Sequence, residues 1–191
     1  MNFDLSEEPQ LTRDMVSRFL GPIDVQARQR IRALPQRYAR ENWSALAELG
    51  LLAMAAPEAD GGMGSSLVDL VLVAEAMGQG SSLHPLLENG VFPIRLASAL
   101  GDRDFTAQLI SGEAFAAVAF AEQGGGYELD SQQIRTEDKR LSGLKSFVCG
   151  AALADVILVT LPDGNIGVVT GEDAANSRQD YPIIDGSLAA Q

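Results

Sequence analysis

The sequence predicts an α+β chain, with an all-helical N-terminal domain over residues 1–112 followed by an antiparallel β-domain over 113–191. Three observations predict it. Apolar residues recur at helical spacing as far as Gly112. Beyond that point the period changes from 3.6 to 2, in short β-branched or aromatic runs at Ala114–Ala121, Ser146–Cys149, Val156–Leu161 and Ile166–Thr170. Turn-forming residues separate those runs: three consecutive glycines from Gly124 to Gly126, and Pro162-Asp163-Gly164-Asn165 between two β-branched stretches.

The first helix is expected to begin after Ser6, with Glu7, Glu8 and Pro9 in its first turn and Leu11, Met15, Phe19 and Leu20 at helical spacing. Gly21-Pro22 ends it. Ile23, Ala27, Ile31 and Leu34 continue an apolar stripe through a segment holding Arg28, Arg30, Arg32, Arg37 and Arg40, five of the fourteen basic residues. Such a cluster can be an anion-binding face, but a solvated helix face is the commoner outcome. Pro35 bounds this region, and Trp43, Leu46, Leu49 and Leu51 open the next apolar face.

Gly61-Gly62-Met63-Gly64 spells part of a dinucleotide fingerprint. No strand precedes it, no βαβ unit surrounds it, and the full G-x-G-x-x-G spacing is missing, so a structural turn is expected. From Leu67 to Met77 the pattern is apolar nearly all round, which predicts a helix buried on most sides, with Glu75 as its notable polar residue. Gly78 and Gly80 end it, and His84, the single histidine, sits before Pro85 in a loop, where capping or packing is expected over base catalysis. A further helix is expected over Leu87–Leu100, interrupted by Pro93, and a last one from Asp102 with Phe105, Leu109 and Ile110 facing inward.

Net charge is −12, which argues against nucleic acid and against an anionic membrane surface as partner. No apolar run approaches the ~20 residues that span a bilayer. The N-terminus is acidic where a secretory signal would be basic, so a cytoplasmic chain is expected. One cysteine and one histidine exclude an internal disulfide and leave no cluster for zinc.

Two blocks of residues carry a resemblance. The first is Trp43, then Leu46-Ala47-Glu48-Leu49-Gly50-Leu51, Pro57-Glu58-Ala59-Asp60-Gly61-Gly62-Met63-Gly64 and Glu75-Ala76-Met77-Gly78; the second is Ala121-Glu122 through Gly126, Gly143-Leu144-Lys145-Ser146-Phe147-Val148-Cys149-Gly150 and Ala154-Asp155. In this order they resemble the acyl-CoA dehydrogenase family. The resemblance implies an FAD-dependent enzyme that removes two hydrogens from the α and β carbons of an acyl-CoA thioester, with an apolar slot that excludes water and holds the acyl chain flat against the flavin. Carried over position by position, it implies FAD contacts at Phe120, Ala121, Tyr127, Phe147 and Cys149.

Four positions depart from the family pattern: Ala121 stands for a threonine, Gln123 for a proline, Tyr127 for a serine that helps hold the diphosphate, and Cys149 for a second flavin-side hydroxyl. Each lost hydroxyl removes a hydrogen bond worth about 0.5–1.5 kcal/mol net. In the family a C-terminal helical bundle carries the catalytic glutamate, further FAD contacts and the subunit interface, so no catalytic base is expected within these residues. The chain is then expected to be part of a longer dehydrogenase, or a short subunit that has given up its flavin and completes a partner, in a homo- or hetero-oligomer. A stand-alone protein-binding domain is the third alternative. The acyl group of the substrate is not legible.

Overall fold

The computed structural model describes residues 7–19, 21, 24–125 and 133–191. Readings that fall on Ser6, Leu20, Pro22, Ile23 or Tyr127 lie outside them. Helix α1 (Glu7–Phe19) packs on α4 (Leu67–Gln79). It buries Val16 completely, whereas Leu11, Met15 and Phe19, the stripe expected to define its apolar face, stay exposed. One neighbouring helix covers only one side of α1, and that side is centred on Val16.

Helix α2 (Val25–Arg32) is capped by Asp24, whose side chain accepts from the Ala27 amide at 2.7 Å, and buries none of its residues fully. Of its arginines, Arg30 and Arg32 are exposed, as a solvated face requires, whereas Arg28 and, beyond the helix, Arg37 and Arg40 are engaged. Arg28 donates to the carbonyls of Ser81 (2.8 Å) and Asp185 (2.6 Å), Arg37 donates to that of Gly186 (3.1 Å), and Arg40 pairs with Asp155 while reaching the Leu153 carbonyl at 3.3 Å. Guanidinium groups can satisfy several carbonyls at once, which explains how a polar segment docks against the β-domain without burying an apolar stripe.

Helix α3 (Glu41–Glu48) places Trp43 and Leu46 in the core, as expected, and Trp43 packs on Phe115 with ring centroids 4.6 Å apart. The Pro57–Gly64 loop is the structural turn that was predicted. A Cβ on Gly62 would stand 2.1 Å from the Ala56 carbonyl oxygen, so no other residue fits that bend. Helix α4 starts at a capping box in which Ser66 and Asp69 satisfy each other's amides at 2.9 and 3.3 Å. It buries Leu70, Leu72, Val73, Ala76 and Met77, but Leu67, Val68 and Val71 are exposed, so the expected burial on most sides is corrected to burial on one.

The predicted helix over Leu87–Leu100 divides in two. A wide π-helical turn, Leu86–Val91, runs into α5 (Phe92–Ala99), with Pro93 in the first turn. Proline has no amide to donate backward, so the segment before it cannot be ordinary α-helix hydrogen-bonded to Pro93. Helix α6 (Arg103–Ile110) follows its Asp102 cap and buries Leu109.

Strand β1 (Ala116–Ala119) is buried at every residue because the helical layer covers one face and the β-domain the other. Its alanines allow that close approach. The next strands form a hairpin, β2 (Arg135–Glu137) and β3 (Arg140–Ser142), then β4 (Val148–Cys149), β5 (Val156–Thr160) and β6 (Ile166–Thr170). After the short helix α7 (Gly171–Ala175) come β7 (Asp180–Pro182) and β8 (Leu188–Ala190). The sheets run β1-β5-β6, β2-β3 and β4-β8-β7. Among the described residues all pairings are antiparallel except one: β1 runs parallel to β5, from Ala116 opposite Val156 to Ala119 opposite Val159. The 36 residues between them (120–155) supply the long crossover that a parallel pair needs. Among the described residues, no helix is long and apolar enough to cross a membrane.

Candidate functional site

The two segments singled out by the sequence, Phe120–Ala121 and Phe147–Cys149, lie side by side. Strand β1 releases Phe120 and Ala121 at its end, and the Ser146 amide donates to the Ala121 carbonyl at 2.8 Å. Beneath this contact lies a buried ion pair. The Lys145 Nζ stands 2.7 Å from Glu122 Oε1, both side chains are about 5–6% exposed, and Nζ also donates to Thr160 Oγ1 (2.9 Å) and to the Phe120 carbonyl (3.3 Å). Glu122 Oε2 accepts from the Gln133 amide at 3.0 Å. One ammonium and one carboxylate thus tie together the ends of β1 and β5, the entry to the β2–β3 hairpin and the approach to β4. Isolated buried charges would be costly, and pairing with further hydrogen bonds is what makes these tolerable.

Aromatic groups face outward above this knot. Phe147 has φ of +56° and its residue is 52% exposed, whereas Trp43 and Phe115 are buried in the core. Phe120 is half-buried, and its ring meets Phe92 of α5 edge-on, with centroids 5.7 Å apart. Cys149 is half-buried; burial first, then the charges of Glu88 and Asp185, push its thiol up to about 11. It is therefore a neutral thiol at pH 7 and a poor nucleophile. Ala121 offers no side-chain donor, and its carbonyl is engaged by Ser146.

A residue that the sequence did not flag organises the inner side. Asn89, in the π-helical turn, is fully buried and donates through Nδ2 to the carbonyls of Ala116 (2.9 Å) and Cys149 (3.1 Å), joining β1 to β4. Its Oδ1 lies where a Cβ on Gly150 would be, 2.2 Å away, and Gly150 has φ of +68°. Glycine at the end of the G-x-K-x-F-V-C-G stretch is thus required by Asn89. The only sequence signal was a polar residue in an apolar helical run, which is weak.

Beside Cys149 a cavity of about 190 Å³ opens between the helical layer and the β-domain, lined among others by Tyr38, Ser82, His84, Leu87 and Asn89. His84 Nδ1 and the Tyr38 hydroxyl are 2.9 Å apart. Burial holds the His84 pKa below its ordinary value, so the ring is neutral at pH 7, and burial followed by the charge of Glu41 raises the Tyr38 phenol. A neutral, well-packed histidine matches the expected packing role. Glu75 is an exposed helix-surface acid that accepts from Gln79 Nε2 at 3.3 Å, and it lies away from this cavity. A second, more open groove of about 560 Å³ lies within the β-domain, floored by Ile157, Val159, Val148 and Ala190.

For Asp155, burial alone would raise the carboxyl, but the hydrogen bonds from Arg40 and from the Phe115 amide (2.9 Å), together with the Arg40 charge, hold it below the usual carboxylate range. Asp155 thereby anchors the start of β1 and the arginine-rich segment at one point. Lys145, Glu122, Arg40 and Asp155 thus have their charges committed to scaffolding, while Arg37, Glu88 and Asp185 line the cavity beside Cys149.

A helical layer docked on a β-domain, with Phe147 exposed and Phe120 half-buried, defines an α+β protein. The model of the acyl-CoA dehydrogenase N-terminal domain matches residues 6–113. Isovaleryl-CoA dehydrogenase from Pongo abelii is 28% identical over 173 residues, covering 81% of this chain and 39% of that protein. Benzylmalonyl-CoA dehydrogenase from Aromatoleum aromaticum is 28% identical over 175 residues, covering 83% of this chain and 45% of its own length. Among solved structures, the ChsE4–ChsE5 complex from Mycobacterium tuberculosis superposes with a TM-score of 0.79 at 23% identity, over 100% of this chain and 54% of that one. The chain belongs to the acyl-CoA dehydrogenase family. It spans roughly two fifths of the length of these curated relatives.

Proposed function

We propose that this chain forms the flavin-facing part of an FAD-dependent acyl-CoA dehydrogenase, acting on the α,β bond of an acyl-CoA thioester. The observation that carries it is the convergence of Phe120–Ala121 and Phe147–Cys149 on one surface, with the Phe147 ring standing outward. The residues present fit a flat, apolar ring system on its face: an aromatic wall and a neutral thiol, backed by a rigid buried ion pair. They offer few side-chain hydrogen bonds, because Ala121 and Cys149 replace hydroxyl-bearing residues. Phe147 would stack on the isoalloxazine, and Phe120 and Ala121 would close the edge of its site. FAD, when bound, supplies hydride acceptance at the substrate β-carbon.

The chain's own contribution is to bind, orient and exclude water. The cavity beside Cys149 is apolar at Leu87 and Leu188 and neutral at His84, with Arg37, Glu88 and Asp185 also on its lining, and its apolar side would take the part of the acyl group beyond the reacting carbons. No base for the α-proton is assigned among the described residues. Isovaleryl-CoA dehydrogenase and its relatives support the reaction type, and the two-protein ChsE4–ChsE5 complex supports assembly as an oligomer. A domain boundary near Gly112 belongs to the same proposal, as does contact of Tyr127 with the diphosphate.

The test is titration of FAD into the purified chain, followed by visible absorbance. The expected result is a saturable spectral shift, with Phe147→Ala weakening affinity by about twofold to tenfold for loss of aromatic stacking. Absence of any shift with the unmodified chain would refute flavin binding by these residues on their own. A shift that Phe147→Ala leaves unchanged would refute the assigned wall.

A further inference from the structure

Phe147 occupies left-handed backbone space, at φ +56°, which a bulky residue rarely adopts. Asp138 and Lys139 also have positive φ, but they form the tip of the β2–β3 hairpin, where that conformation is the ordinary one. Phe147 has no such excuse. It lies on the approach to β4, directly after the buried Lys145, and its ring is held out of the core.

Two supports reach it from opposite sides. The Ser146 amide is fixed on the Ala121 carbonyl at 2.8 Å. The next amide, that of Phe147, donates to the Tyr181 hydroxyl at 3.1 Å. Tyr181 lies on β7, and both Tyr181 and Cys149 are registered opposite Ala189 of β8, so the phenol reaches across the middle strand to the residue preceding β4. A strained residue persists only where its surroundings over-determine it, and such residues gather at ligand sites.

We propose that Tyr181 is a positioning residue, whose hydroxyl holds the Phe147 backbone in its left-handed conformation and so presents the Phe147 ring as a stacking wall for a flavin. The inference rests on the flavin-binding reading above. It adds a residue remote in sequence from both motif segments, 34 positions beyond Phe147.

The experiment compares the full chain with Tyr181→Phe, Phe147→Gly and the double variant. Glycine adopts the left-handed conformation without a side-chain clash and carries no ring, so it removes what Tyr181 is proposed to support. FAD affinity is read from visible absorbance, and amide exchange at Phe147 is read by NMR without ligand. Tyr181→Phe is expected to weaken FAD binding by about threefold to tenfold, as one hydrogen bond is worth. In the Phe147→Gly background the same change is expected to matter less than about twofold. Exchange at the Phe147 amide is expected to quicken at least about tenfold, while amides of β5 keep their rates.

Equal losses in both backgrounds, or no loss in either, would overturn the positioning role, as would unchanged exchange at Phe147. Should the unmodified chain give no flavin signal, the flavin reading fails separately. Amide exchange then decides alone: quickening at Phe147 supports Tyr181 as its positioning residue, and none overturns it.

Discussion

Replacing Lys145 by methionine tests the knot beneath the aromatic wall. The substitution preserves much of the side-chain volume and removes the ammonium from a carboxylate, Glu122, whose side chain is 6% exposed. Breaking one side of a buried pair costs about 3–5 kcal/mol, because the remaining charge loses that counterion without regaining water. The lost hydrogen bonds to Thr160 Oγ1 and the Phe120 carbonyl act in the same direction. For a domain of this size about 1 kcal/mol shifts Tm by roughly 2–4 °C, so Lys145→Met is expected to lower it by roughly 6–20 °C. Adding Glu122→Leu removes the buried carboxylate and is expected to recover most of the loss, since an apolar replacement of a whole buried pair is often neutral. Urea denaturation of the four proteins at pH 7, followed by circular dichroism, gives both numbers through a double-mutant cycle. A single variant within about 1 kcal/mol of the parent, or a double variant no better than the single, would refute the reasoning.

Two other outcomes follow from the same structure. Gly150→Ala places a Cβ 2.2 Å from Asn89 Oδ1 at a φ of +68°, and should cost at least about 3 kcal/mol through backbone strain and displacement of the amide that joins β1 to β4; thermal melts check this, and a change under about 1 kcal/mol refutes it. His84 has a folded pKa below its unfolded value of 6.5, so the unfolded chain binds the proton more readily. Stability is therefore full above about pH 6.5 and declines as pH falls from there through the lower folded pKa. The difference in stability between the parent and His84→Phe should shift in this direction between pH 7 and 5, and a pH-independent difference would count against the buried neutral ring.

Much of the architecture was legible because it depends on local rules. The change of period after α6 marks where helices give way to strands, and Asp102 and the Pro162–Asn165 turn act through near neighbours in the chain. Trp43, Leu46 and Leu109 could be read as core because helical spacing alone puts them on one face. The pairing of Ala121-Glu122 with Gly143–Gly150 was readable as pattern, although not as the ion pair and backbone contact that join the two.

Other features depend on groups brought together from far apart in the sequence. Composition alone leaves the arginine-rich segment undecided between an anion site and a solvated face; the partners of Arg28 and Arg37 are the carbonyls of Ser81, Asp185 and Gly186, more than fifty residues away. Periodicity marks Leu67, Val68 and Val71 as apolar but cannot say which face a neighbour will cover. The parallel β1–β5 pair, Asn89 bridging two strands, and the Tyr181 hydroxyl on the Phe147 amide are likewise long-range contacts. The sequence by itself determined the helix-then-strand order, the core positions of α3 and the family pattern, since propensity, period and turn chemistry are local. Tertiary structure alone decided which polar groups are paired, which apolar faces stay open and how Phe147 is held, because burial and hydrogen-bond satisfaction belong to the packed chain as a whole.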